Sequence, residues 1–272
     1  MTTASIDELL RAFRRNLRIS MILRVVVGCF FVAISLWALT LPASTGRPVL
    51  GMLLVGMLIL WAALMVRSVR LAREIQTGNV LIAYGRLDDA EARLERMLGR
   101  FSLSERAQSM LFQQLAGLLF RRERFAEVVE ICRELLRHRV GRIQGLGFHI
   151  RLMLADSLLL LGQVEEAYAA FRPVYDAPLT LAERMKLLPV QLRYELAAGH
   201  AGAAASGLAE KVRVAELLES PRAALVHALL AEACRRESMP AQQAFLAERA
   251  RLYHDLEPLA EKYPIIRPVA NE

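Results

Sequence analysis

Two long stretches near the N-terminal end carry no charged residue: Val25 to Leu41, 17 residues, and Pro48 to Val66, 19 residues. At a rise of about 1.5 Å per residue each forms a helix roughly 25 to 29 Å long, close to the ~30 Å hydrocarbon core of a bilayer. The pattern predicts a hairpin of two transmembrane helices, spanning about 21–41 and 48–66. Met21 to Leu23 complete the first span, with Arg24 snorkelling its guanidinium toward the headgroups. Pro42, Gly46 and Pro48 break helix and mark the turn between the spans. A soluble core hairpin seldom holds so long an uncharged run. A cleaved secretory signal fits poorly, because more than twenty residues precede the first apolar run and a second follows at once.

On either side the pattern turns amphipathic. From Ser5 to Ser20 the residues Ile6, Leu9, Leu10, Phe13 and Leu17 form one apolar stripe, and Arg11, Arg14, Arg15 and Arg18 occupy the rest. These four arginines are the candidate membrane-surface residues, on a helix expected to lie against an anionic leaflet before entering the bilayer. Equally, they serve as a plain topology signal. After residue 74 come short amphipathic helices separated by small or polar breaks, with no period-two alternation, which predicts an all-α region. The chain thus divides into a basic juxtamembrane helix (1–20), a transmembrane hairpin (21–73), a helical repeat domain (74–262) and a tail (263–272), where Pro264 and Pro268 work against regular helix.

Within the repeat domain three segments align without gaps: Tyr84 to Ala90, Arg122 to Val128 and Leu161 to Ala167. Each has a turn residue (85, 123, 162), a large apolar residue two positions later (Leu87, Phe125, Val164), and a smaller one five later (Ala90, Val128, Ala167). Nine positions after the turn stand Leu94, Cys132 and Phe171. In the preceding helices Leu115, Ala116 and Leu119, then Leu154, Ala155 and Leu158, repeat the same spacing, with Gly78 and Ile82 in the first copy. A fourth turn is expected at Gly199-His200, followed by a helix through Leu218. A fifth is expected at Ser238 to Pro240, after a helix with Ser220 as N-cap and Pro221 at its first helical position. Ser102 with Glu105 and Thr180 with Glu183 have capping-box spacing.

This pattern resembles the tetratricopeptide repeat, in a membrane-anchored bacterial form. It lacks the family's signature Trp, and its spacings of 38 and 39 exceed the family's usual period. The resemblance implies an α-solenoid of about four to five helical hairpins, stacked because each buries one face only against its neighbour. It also implies a groove that takes a peptide segment or helix of a protein partner, displaying Asn79, Gln113, Arg121, His149 and Asp156.

Charge changes the functional picture. The chain has net charge +7, which would suggest nucleic acid. Residues 1–73, however, hold nine arginines against Asp7 and Glu8, which accounts for the whole excess and leaves 74–272 neutral. Nucleic-acid binding loses its electrostatic footprint. The arginines flank the apolar stretches, with only Arg47 near the connecting turn, so the positive-inside rule places both termini in the cytoplasm. Only Lys186, Lys211 and Lys262 are lysines, a usage that points to a high-GC bacterial genome and hence to the inner membrane.

No arrangement of His, Cys, Ser or acidic residues has the spacing of a catalytic or metal site, and no cofactor is implied. Cys29, Cys132 and Cys234 are far apart and read as small hydrophobes. The sequence therefore predicts a non-enzymatic scaffold that binds a protein partner at a membrane. The alternative is an accessory subunit that meets its partner through the spans.

Overall fold

The structure, a computed structural model, describes residues 3–40, 47–98, 104–138, 145–175 and 177–271. Every regular element among them is helical. The chain forms two compact units, Met1–Ile143 and Gln144–Glu272.

The first unit opens with two helices of unusual length, α1 (Thr3–Thr40) and α2 (Arg47–Ala83), each about 55 Å long. The connecting turn predicted at 41–46 lies outside the described residues. Along α1 the side chains change environment. Ile6, Leu10 and Phe13 are buried, whereas Met21 (66% exposed), Val25, Val32 and Leu36 (61%) face outward. The segment Ile6–Ile34 is long and apolar enough to cross a membrane. A shorter apolar stretch, Val55–Val66, lies in α2, where Met52 (77%), Leu58 and Ile59 are also exposed. Further along α2, Ile75 is fully buried, and a Cβ added to Gly78 would come within 2.9 Å of Gln114 Oε1. The end of α2 is therefore a core helix of the hairpin domain.

Among the described residues this unit has three further α-helices: α3 (Leu87–Leu98), α4 (Glu105–Arg121) and α5 (Phe125–Arg137). Gln114 of α4 donates through Nε2 to the Ile75 carbonyl of α2. At the surface, Arg122 pairs with Asp88 (2.5 Å) and Glu91 (2.7 Å) of α3. The start of α4 is capped by Ser104, whose Oγ accepts from Ala107 N at 3.2 Å. The predicted cap, Ser102, lies outside the described residues.

The second unit contains α6 (Leu146–Leu160), α7 (Val164–Tyr175), α8 (Leu181–Ala197), α9 (Ala201–Ala205), α10 (Leu208–Ala215), α11 (Ser220–Arg236), α12 (Pro240–Tyr253), α13 (Glu257–Lys262) and α14 (Arg267–Ala270). The capping box at the start of α8 forms as predicted: Glu183 N donates to Thr180 Oγ1 at 3.3 Å, and Thr180 N to Glu183 Oε2 at 2.9 Å. The single helix expected from the fourth turn to Leu218 is instead two, α9 and α10, because the chain breaks at Gly207 with φ +62°. Glu219, one residue before Ser220, is the N-cap of α11. Ser220 donates its hydroxyl to the Tyr253 carbonyl of α12. The last residues do not form a loose tail. A 3-10 turn (Pro264–Ile266) and α14 fold back, Ile266 and Val269 are fully buried, and Arg251 Nη2 donates to Val269 O at 2.9 Å. The prolines sit in the first turns of these short helices, where a missing N–H costs nothing.

One turn geometry joins the hairpins. Residues 85, 123, 162, 199 and 238 all have positive φ. Each donates its N–H to the carbonyl three residues back, and the next residue donates to the carbonyl five back, as in Gly162 N to Leu159 O (3.1 Å) and Gln163 N to Leu158 O (2.8 Å). This is the Schellman closure of a helix, which satisfies its last carbonyls and reverses the chain. After the first four turns the residue five positions on (Ala90, Val128, Ala167, Ala204) is fully buried, as are or nearly are Leu94, Cys132 and Phe171.

At two of these turns the left-handed residue is Glu123 (φ 60°) or Ser238 (φ 57°), which bears the steric cost that glycine avoids. Glu123→Gly is expected to stabilise the first unit by up to about 1 kcal/mol, read as a raised denaturation midpoint of the detergent-solubilised chain. An unchanged or lowered midpoint would count against the turn assignment.

Candidate interaction surfaces

In the first unit the N-terminal stripe meets protein. Phe13 inserts between α4 and the end of α5, its ring 4.4 Å from Phe112 and 5.7 Å from His138. Beside it, Arg14 Nε lies 3.1 Å from Oε1 of Glu134, a carboxylate only 5% exposed that His138 Nε2 also meets at 3.1 Å. A small cleft next to Phe13 is lined by Leu9, Ala12 and Asn16 on one side and Leu98, Gln108 and Leu111 on the other. The flat placement expected for residues 5–20 therefore differs from the observed one. The helix continues unbroken into the apolar stretch, and of its apolar stripe Ile6, Leu10 and Phe13 are buried while Leu9 and Leu17 are half-buried. Of the four candidate membrane-surface arginines, Arg14 is tied to Glu134, Arg11 donates Nε to its own helix at Asp7 O (3.3 Å), and Arg15 and Arg18 are exposed.

The predicted groove residues divide between the units: Asn79, Gln113 and Arg121 in the first, His149 and Asp156 in the second. The side chain of Asn79 lies outside the described residues. Gln113 is half-buried on α4, Arg121 is exposed at its end, and the neighbouring Gln114 is the glutamine that bridges two helices. His149 is half-buried on α6. Burial and the nearby Lys186 ammonium hold its pKa below the ordinary value, while Glu183 pulls the other way.

Asp156 does not stand free in a groove. It pairs with Arg193 of α8, whose side chain is 6% exposed and whose guanidinium lies 4.5 Å from the centroid of the Tyr263 ring. Burial lowers the Arg193 pKa to about 10. The three side chains tie α6, α8 and the C-terminal segment, so Asp156 is a structural counter-ion.

An exposed aromatic face escapes the repeat register. Tyr168, Phe171 and Tyr175 follow one another on α7 at i, i+3 and i+7, and Tyr194 joins them from α8. Tyr168 and Tyr194 stack at 5.3 Å with an interplanar angle of 19°, and the buried Phe171 supports both Tyr194 (5.1 Å) and Tyr175 (5.5 Å). Tyr168 is 40% and Tyr175 45% exposed. Burial, the Glu195 carboxylate and the neighbouring phenols push the Tyr175 hydroxyl well above the ordinary phenol range. The Tyr175 hydroxyl stays protonated at neutral pH and can donate. Rigid tyrosines with one apolar face and a polar tip suit contact with another protein.

The chain matches no known family model, curated protein or solved structure. Its chemistry is read from the residues alone. Among the described residues no three His, Cys, Asp or Glu side chains gather as metal ligands. Cys132 is buried, and burial pushes its thiol up to about 12, far from a reactive thiolate.

His227 of α11 is fully buried, with its ring stacked on Tyr253 at 5.5 Å. Burial and the Arg249 guanidinium lower its pKa, with Glu216 opposing. The folded chain therefore resists a proton that the unfolded chain accepts at about pH 6.5, so stability holds above that pH and falls below it. His227→Phe is expected to flatten the decline between about pH 6.5 and 5 in chemical denaturation of the full chain. An unchanged pH slope would remove His227 as its source.

Asp156→Asn leaves a buried guanidinium without its counter-ion. A loss of about 3 kcal/mol is expected in the same measurement. Recovery in Asp156→Leu/Arg193→Met would confirm that the unpaired charge causes it, whereas a near-neutral Asp156→Asn would contradict the tie.

Proposed function

We propose that the chain is a non-enzymatic, membrane-anchored adaptor. Two spans, about 21–41 and 48–66, hold it in a bacterial inner membrane with both termini in the cytoplasm. A tetratricopeptide-like array of helical hairpins then presents a surface to a protein partner. The observation that carries this reading is the continuity of α1 and α2. Each runs without a break from a stretch of outward-facing apolar residues into a hairpin domain whose core it helps to build. Exposed apolar residues in such numbers suit lipid rather than water. Tethering confines the partner to the membrane and raises its effective concentration there.

On this reading the binding surface of the second unit is the Tyr168, Tyr175 and Tyr194 face. His149 is half-buried and Asp156 is already engaged, whereas the tyrosines offer exposed area on a rigid support.

A photo-crosslinking amino acid at Tyr168 or Tyr175 in intact cells is expected to trap one partner reproducibly, and replacement of both spans by an unrelated hairpin should preserve that product. Loss of the product on replacement would favour the accessory-subunit reading, in which the spans make the contact. Protease added outside intact spheroplasts should leave residues 74–272 uncut, and digestion there would refute the cytoplasmic placement.

A further inference from the structure

Between Glu8 and Glu74 the sequence has no acidic residue at all, yet it contains nine arginines from Arg11 to Arg73. The packing of the first unit sorts those near the hairpin domain. Arg14 is spent on Glu134, and Arg11 bonds back to Asp7 O. Arg15 and Arg18 on α1, and Arg70 and Arg73 on α2, are exposed.

Counted from the ends of the apolar stretches, at residue 21 on α1 and 66 on α2, Arg18 and Arg70 lie about 5 Å beyond the hydrocarbon boundary. Arg15 and Arg73 lie about 10 Å beyond it. The headgroup region is about 5 to 8 Å thick on each side, so Arg18 and Arg70 lie within it and Arg15 and Arg73 just outside it, where a long side chain can reach back to phosphate. Both helices continue unbroken through this region, so the four arginines are carried on two helices. Among the described residues no ion pair joins a carboxylate to any of the four, and the nearest acidic residue along either helix is Glu74, which follows Arg73. A plain topology signal requires only that positive charge stay on one side of the membrane. It does not require four exposed guanidiniums at matched depth on both helices.

We infer that Arg15, Arg18, Arg70 and Arg73 form a collar that binds the headgroups of anionic phospholipids around the hairpin. The inference rests on the reading that both apolar stretches cross the bilayer. Guanidinium suits this partner because its planar fork can pair with two phosphate oxygens at once. The occupant is lipid rather than an acidic protein because the groups sit at headgroup depth, where phosphate is the abundant anion and each basic residue gains from the negative surface potential. Arg24 lies deeper, inside the apolar stretch, and bonds to Ser20 Oγ at 2.8 Å. It is outside the collar.

The test uses the full-length chain in nanodiscs of phosphatidylcholine with and without phosphatidylglycerol, followed by native mass spectrometry of the lipid retained after gentle release. Wild type should keep phosphatidylglycerol in preference to phosphatidylcholine. Arg15→Gln/Arg18→Gln/Arg70→Gln/Arg73→Gln should lose that preference by about tenfold or more. Arg172→Gln/Arg184→Gln/Arg213→Gln/Arg222→Gln, which removes the same charge from exposed positions of the second unit, should retain it. Equal retention by the collar variant and wild type would overturn the collar, as would an equal loss in the control variant. Alkaline carbonate extraction separates this from the underlying reading. Wild type and collar variant should both stay in the membrane pellet. Release of wild type would mean that the spans themselves are wrongly assigned and that the collar falls with them.

Discussion

A helix can run without a break between two environments only if its apolar residues change their arrangement where the surroundings change. On α1 this change falls around Ser20. Up to there one stripe, Ile6, Leu10 and Phe13, is buried against neighbouring helices; beyond it Met21, Val25, Val32 and Leu36 face outward. On α2 the order is reversed, with Met52 and Leu58 exposed and Ile75 and Gly78 in the core. The rest of the first unit depends on these two transitions. Gln114 reaches the Ile75 carbonyl, Gly78 leaves it room to do so, and Glu134 with Phe112 grips Arg14 and Phe13. The hairpin domain is therefore fused to the long helices through packed side chains. Tilting either helix would strain a buried polar contact.

The all-helical fold was readable because its punctuation is local. Gly85, Gly162 and Gly199 mark turns by their freedom to take positive φ, and the buried positions that follow sit at fixed distances from them. Glu123 and Ser238 take the same conformation without being glycine, so the first turn was visible only through the alignment of flanking residues and the second only through the helix start at Ser220 and the proline at 240. The break at Gly207 was missed because a glycine inside a helical pattern reads equally as tolerated or as a stop. At 264–270 the prolines suggested a tail, but short helices tolerate proline in their first turn, and two buried apolar side chains, Ile266 and Val269, anchor the segment.

The candidate surfaces were less legible, for a different reason. An amphipathic stripe specifies that one face is apolar, and says nothing of whether lipid or protein covers it. Residues 5–20 satisfy both patterns, and only Phe112 and Glu134, about a hundred residues away in sequence, reveal which one holds. Asp156 looked like a groove residue until Arg193, on another helix, claimed it. The tyrosine face needed Tyr194 to close it, although Tyr168, Phe171 and Tyr175 already shared one side of α7. In each case the decisive partner is distant in the chain.

The proposed passage of α1 from domain to bilayer can be tested directly by nitroxide scanning. Single cysteines at residues 5–36, in a chain otherwise free of cysteine, would be labelled and exposed to oxygen, which concentrates in lipid, and to a water-soluble nickel chelate. Positions 6, 10 and 13 should be shielded from both reagents, with a helical period in their neighbours, and positions beyond 21 should become accessible to oxygen. Oxygen access at 6, 10 and 13 would place the N-terminal stripe on the lipid surface. Access of the nickel chelate throughout 21–36 would remove that segment from the membrane.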